Sequence, residues 1–218
     1  VTHWSPGLSP STEGWNRREF IGAAALVALA AGIPAAAVRL TDLDAEDLPD
    51  EAQRRLIAQV CQIVLPRTGT QGAGDVGVGD FVILALAHGL DATKAAMASA
   101  QVPNFAGHAR RDGSLRYLDW LEAELDAKAG GYWLGRPLQA QKDALSSLDA
   151  ASYPPPGQDG FFPWQKIKGL ILTGYYTSEE GASHELRFEL TPGRFDSDLP
   201  LKPGTIALSS DWNAVDFG

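Results

Sequence analysis

Residues 80–90 read DFVILALAHGL. Asp80 opens a helical pattern that runs to about Leu90 and is apolar nearly all round, with no face to give to water. Such a helix belongs at the centre of a core, so its neighbours in sequence should supply the helices that cover it. Upstream, Asp50 can cap a helix running to about Leu65. Leu56, Val60, Ile63 and Val64 fall on one face, with Arg54, Arg55 and Gln59 turned away, and Pro66 stops the helix.

Between these two helices the glycines Gly72, Gly74 and Gly77 spell GxGxxG. That fingerprint has physical meaning between a strand and a helix, with an acidic residue about 20 positions on. Here a helix ended by proline precedes it and Met97 stands at the acidic position, so no dinucleotide is expected on this loop.

Downstream, Asp91–Gln101 is alanine-rich and weakly helical, and Pro103–Gly113 reads as a polar loop with His108, Arg110 and Arg111 solvated. Ser114 is expected to cap LRYLDWLEAELDAKAG, where Leu115, Leu118, Leu121 and Leu125 fall at helical spacing, and Gly130 and Gly131 end it. Tyr132–Leu138 turns the chain, Gln139–Leu148 reads as a short helix, and the three prolines within Tyr153–Gly160 make a stiff loop. Phe161–Tyr176, FFPWQKIKGLILTGYY, is a last helix with Pro163 in its first turn. From Ser178 the chain is turn-rich, although HELRFEL alternates like a short strand. The expected fold is mainly α: a small helical domain over residues 39–218, ending in an irregular C-terminal tail of about 40 residues that buries itself poorly and should wrap on a partner.

Residues 1–38 read differently. Val1–Trp15 is a leader rich in Ser, Pro and Gly. It is followed by Arg17, Arg18, Glu19, Phe20 and Ile21, then by an apolar run to Val38 rich in alanine and glycine. A paired-arginine n-region before a weakly apolar run looks like the twin-arginine type of export signal, with Arg17, Arg18 and Phe20 as its recognition residues. Ala35 and Ala37 offer an A-x-A cleavage site. The alternative is a retained helix: Phe20–Val38 spans about 28 Å, just enough to cross or contact a membrane. The twin-arginine route carries folded proteins, so the chain is expected to fold in the cytoplasm and work in the periplasm.

The chain of 218 residues has 18 basic and 27 acidic side chains, net −9, which makes it a poor nucleic-acid binder. Its one cysteine, Cys61, allows no intrachain disulfide, no c-type haem attachment and no cysteine metal cluster, and reads as a buried thiol. The four histidines, His3, His88, His108 and His184, are scattered. Ser183, His184 and Glu185 are consecutive, and adjacent residues of an extended segment point to opposite sides, so they make no triad by themselves. Glu179 and Glu180 could pair as carboxylates, but read more simply as an exposed turn. No Walker loop, HExxH or GxSxG occurs. No catalytic, cofactor-binding or metal-binding residue is therefore assigned.

Several stretches together resemble the gluconate 2-dehydrogenase subunit 3 family. They are Ile63-Val64-Leu65-Pro66 at a helix end, GAGDVGV at Gly72–Val78 before Phe81, Leu118–Leu121, Phe161-Phe162 and, most specifically, Leu172–Glu179 (LTGYYTSE) with Pro192-Gly193 following. The resemblance covers roughly Arg54–Phe195. It implies a noncatalytic small subunit bound to a large FAD-dependent flavoprotein of the glucose-methanol-choline class, needed for its assembly and twin-arginine export. Many such complexes add a multihaem cytochrome c, which this chain neither contains nor excludes. FAD would belong to the partner, as would the choice of sugar, glycoside or sugar acid. Trp164, Tyr175, Tyr176, Phe195, Trp212 and Phe217 are the candidate partner contacts, since aromatics are favoured interface anchors, with Tyr175 and Tyr176 equally readable as core. A stand-alone periplasmic binding or anchoring protein and an independent hydrolase using Glu179 or His184 stay open as other readings.

Overall fold

The computed structural model describes residues 43–99, 101–157, 160–188, 200, 202–205 and 207–209. The expected leader and export segment, residues 1–38, lies outside them. Among the described residues the helices of ten or more residues are α1 (Glu51–Val64), α2 (Val78–Ala87), α3 (Tyr117–Ala129), α4 (Leu138–Ser152) and α5 (Pro163–Tyr176). The fold is mainly α, as the periodicity predicts.

Helix α2 is the centre. Val78, Gly79 and every residue from Phe81 to Leu86 are buried, and α1 and α5 pack along it. Each large aliphatic or aromatic side chain taken out of water here contributes about 2 kcal/mol. Two glycines let the neighbours come close enough. A Cβ on Gly79 would stand 3.2 Å from the Ala58 backbone nitrogen on α1, and one on Gly174 of α5 would stand 2.5 Å from Cδ1 of Phe81.

Asp50 starts α1 with a capping box: its carboxylate accepts from the Gln53 backbone N–H at 2.8 Å, and the Gln53 side chain accepts in return from the Asp50 N–H at 3.3 Å. The buried face of α1 is Leu56, Ile57, Val60 and Cys61. Ile63 and Val64, expected in that stripe, lie at its half-buried margin, while α2 comes closest to α1 at Ile57 and Ala58. Burial raises the Cys61 thiol pKa.

The segment 90–116 departs most from expectation. The described residues of 91–101 form no helix beyond the 3-10 turn Leu90–Ala92, because Asp91 and Ala92 each take the left-handed φ of 55° and turn the chain. Lys166 of α5 holds that turn, donating to the Asp91 carbonyl at 2.7 Å and its carboxylate at 3.0 Å. Arg110, expected in solvent, is largely buried. Its guanidinium pairs with Asp47 at 2.5 Å, where Lys94 also binds at 2.6 Å, so one carboxylate ties the chain before α1 to this loop. Ser114 does not cap α3. It is buried in a small hairpin in which the Arg110 N–H donates to the Ser114 carbonyl and the Arg116 N–H to that of His108, its hydroxyl donates to Asp112 at 2.6 Å, and the helix begins at Tyr117.

Helix α3 buries Tyr117, Trp120, Leu121 and Leu125, with Leu118 half-buried, and ends where Gly130 takes a left-handed φ of 66°. Helix α4 is longer than the predicted Gln139–Leu148 and packs along α3. Between them Trp133, read from sequence only as part of a turn, is fully buried and its indole N–H donates to the Gln141 carbonyl at 3.1 Å. After α5 a wide helical turn, Gly181–Glu185, leads into Leu186–Phe188, which pairs in parallel with Ala207–Ser209. The predicted strand therefore starts at Leu186, since His184 and Glu185 belong to the turn before it, and its residues 189–190 lie outside the described residues.

Replacing Gly174 by Ala is expected to cost about 1–3 kcal/mol through overpacking against Phe81, whereas Gly69→Ala, with no atom within 4 Å of the new methyl, should be near neutral. Urea unfolding of the two variants measures the contrast; equal midpoints would mean that α2 and α5 do not meet this closely.

Candidate functional site

Side chains of the chemically versatile kinds gather at the C-terminal end of α5. The helix ends there because its last carbonyls are taken by hydroxyls: Thr177 donates to the Thr173 carbonyl and Ser178 to that of Tyr175, each at 2.6 Å. Gly181 then lies directly on this end, where an added Cβ would meet the Tyr175 carbonyl oxygen at 2.1 Å, so no other residue fits without moving the backbone. The turn brings Glu180, His184 and Glu185 back over the glycine-rich loop.

The contacts there form one cluster. The Gln71 N–H donates to Glu180 at 2.8 Å, and His184 Nδ1 stands 3.2 Å from the other oxygen of the same carboxylate. The Thr70 hydroxyl donates to Glu185, and the Tyr175 phenol donates to the Gln71 carbonyl at 2.8 Å with Glu185 at 3.4 Å. Burial raises the Tyr175 pKa, the Thr70 hydroxyl opposes this, and the nearby Glu185 and Glu180 carboxylates add to it. The phenol is thereby kept as a donor.

Glu180 therefore pairs with His184 rather than with Glu179, which enters none of these bonds. Ser183 is exposed, and His184 and Glu185 bond to different partners, so the three consecutive residues form no triad. A reaction centre needs a group left available to substrate. Here the carboxylates and the phenol are engaged in fastening one segment to another.

The glycines of the loop serve the same junction. Cβ atoms on Gly72 and Gly74 would meet Gln62 of α1 at 2.6 and 2.7 Å, and Gly77 takes a φ of 78° to start α2. Asp75 accepts from the Gly72 N–H at 2.9 Å and pairs with Arg67 at 3.1 Å; the Arg67 bond, first, holds its carboxyl below the usual range. GxGxxG is here a packing device between two helices.

Of the expected partner contacts, Trp164 and Tyr175 are core residues, 1% and 3% exposed. Trp164 donates its indole N–H to Asp149 at 2.6 Å, and Lys168 binds the same carboxylate at 2.7 Å. Burial drives the Asp149 pKa up, and Lys168 and Trp164 together outweigh it, leaving it below the usual range. Tyr176 is half-buried, edge-on to Tyr175 at 5.3 Å between ring centres. Phe195, Trp212 and Phe217, like Arg17, Arg18 and Phe20, lie outside the described residues. Sequence reasoning missed Gln141, whose amide donates to the carbonyls of Trp133, Leu134 and Arg136 at 3.1–3.3 Å while accepting from Gln59 at 3.0 Å. A glutamine in a helical stripe carries no sequence signal for such a role.

These elements define a small helical domain in which two glycine-bearing motifs, far apart in sequence, interlock. The model of the gluconate 2-dehydrogenase subunit 3 family matches residues 51–193, from the first residue of α1 to beyond the latch on α5, and the chain belongs to that family. No curated relative and no solved structure matches it.

Tyr175→Phe removes the bond to the Gln71 carbonyl and is expected to cost about 1 kcal/mol in urea unfolding; no loss would show that the latch contributes nothing. Because the folded pKa of Asp149 is depressed, its contribution is present above the unfolded value of about 4 and is lost as pH falls through the lower folded value. Asp149→Asn should therefore flatten the acid limb of the stability profile, and an unchanged limb would contradict the pairing.

Proposed function

We propose that this chain is the noncatalytic small subunit of a periplasmic FAD-dependent dehydrogenase acting on a sugar, glycoside or sugar acid, needed to assemble and export the catalytic subunit. Family membership carries the reading: the matched family is one of dehydrogenase subunits. The local chemistry agrees with it. The stretches that give the family resemblance border a junction whose polar groups hold segments together: Gln71, just before GAGDVGV, bonds Tyr175 of LTGYYTSE and Glu180 just after it.

In this reading the large flavoprotein folds around FAD in the cytoplasm while this chain packs on it, and Arg17 and Arg18 engage the twin-arginine translocase for both. FAD and the sugar site belong to the partner, and a multihaem cytochrome c would serve as a third subunit that accepts electrons. Residues 20–38 supply membrane contact where the signal segment is retained.

Replacing both Arg17 and Arg18 by Lys should leave both subunits, and the dye-linked sugar oxidation they carry, in the cytoplasmic fraction. Activity of the variant in the periplasm at the parent level would overturn the proposal.

A further inference from the structure

An open groove of about 840 Å³ runs between α1 and the turn that joins α3 to α4. Its floor is Ala58, Gln59, Gln62 and Gly74, and its far wall carries Tyr132, Leu134 and Leu138. Tyr132 and Leu138 are 53% and 52% exposed, among the most exposed large apolar side chains of the described residues. Their presentation is rigid. Trp133 between them is anchored in the core, Gln141 bonds three carbonyls of the turn, and Arg136 donates to the Gly130 carbonyl. An apolar pair held out to water on a fixed turn loses little further freedom when something covers it.

The charge in the groove runs against that of the chain. Asp75 on its edge is neutralised by Arg67, whereas Arg55 on the same lining is exposed and has no hydrogen-bond or ion-pair partner among the described residues. In a chain of net charge −9 the groove therefore offers a cation. The floor amides are already paired, Gln59 with Gln141 and Gln62 with Asp75, so they ask for no ligand. An open trough of this kind does not enclose a small molecule as a ligand pocket does. A second copy of the chain would bring another net −9, so charge repulsion opposes self-association on this patch.

We infer that this groove is the docking face for the larger flavoprotein, taking from it a segment that presents an apolar side chain to Tyr132, Leu134 and Leu138 and a carboxylate to Arg55. The inference rests on the subunit reading above and adds the surface and the chemistry of what it receives. It also moves the expected interface away from Trp164 and Tyr175 to side chains that are exposed.

The test uses the intact complex purified from the native host, with Tyr132, Leu138 or Tyr153 replaced by photoreactive benzoylphenylalanine. Tyr153 is 50% exposed and lies outside the groove. Crosslinks from positions 132 and 138, and not from 153, to a carboxylate-bearing segment of the flavoprotein are expected. Arg55→Glu should weaken association about tenfold, as loss of one charge pair at an interface does. Its thermal unfolding should match the parent, because Arg55 bonds nothing among the described residues. A crosslink to the flavoprotein from 153 alone, a crosslink from 132 to a second copy of this chain, or an intact complex with no crosslink from the groove overturns the docking face and leaves the subunit reading standing. A parent preparation without any flavoprotein, seen before a probe is introduced, overturns both.

Discussion

Everything in this fold answers to a helix that has no outside. From Phe81 to Leu86 each side chain of α2 is buried, so the helix is stable only while α1 and α5 lie along it. Close approach is what makes the burial complete, and it is permitted at Gly79 against Ala58 and at Gly174 against Phe81. The remaining helices follow from this demand. Helices α3 and α4 pack on each other and close the core with Trp120, Leu121, Trp133, Leu145 and Leu148. The buried Asp47, held by Lys94 and Arg110, clips the chain ahead of α1 over the irregular stretch that α2 leads into.

The same constraint explains the latch. A helix buried nearly all round needs its entry and its neighbour's exit fixed together, or the ends fray and expose apolar surface. The entry to α2 is the glycine-rich loop, folded onto Gln62 of α1. The exit from α5 is the Thr177–Glu185 turn, folded onto its own last carbonyls through Gly181. Gln71 and Thr70 make the contact between them, Gln71 giving its N–H to Glu180 and its carbonyl to Tyr175 and Thr70 its hydroxyl to Glu185. Residues that look chemically promising in a list, two glutamates, a histidine and a tyrosine, are thus accounted for by the closing of a core.

The parts of this architecture legible in the sequence were those with a period or a cap. Asp50 with Gln53, the unbroken apolar run of α2, the spacing of α3 and the Pro163 start of α5 each carry a local signal, and each element is present. The failures have a common physical cause, which is that tertiary contacts decided them. Asp91 takes a left-handed conformation that Lys166, 75 positions away, holds in place. Ser114 is a good cap by type, but Asp112 two residues before it takes its hydroxyl. Trp133 sits in a segment without periodicity, and only the path of α4 makes it core. For Trp164 and Tyr175 the sequence left core and contact surface open, since large apolar side chains suit both, and only the observed burial places these two in the core.

The proposed export in folded form sets a requirement that the chemistry of this domain meets. A protein that folds in a reducing compartment and works in an oxidising one cannot rely on disulfides for the first stage. With a single cysteine this chain has no disulfide to form within itself. Cys61 is fully buried on the core face of α1, and burial raises its pKa, so the thiolate needed for exchange is suppressed and the sulfur is out of reach. The fold is held instead by apolar packing, the Asp47 pairings and the latch on Gln71, none of which depends on redox state. Under the proposed export, stability acquired beside the partner in the cytoplasm would be the stability carried across the membrane, and a surface such as the α1 groove would keep the same shape on both sides.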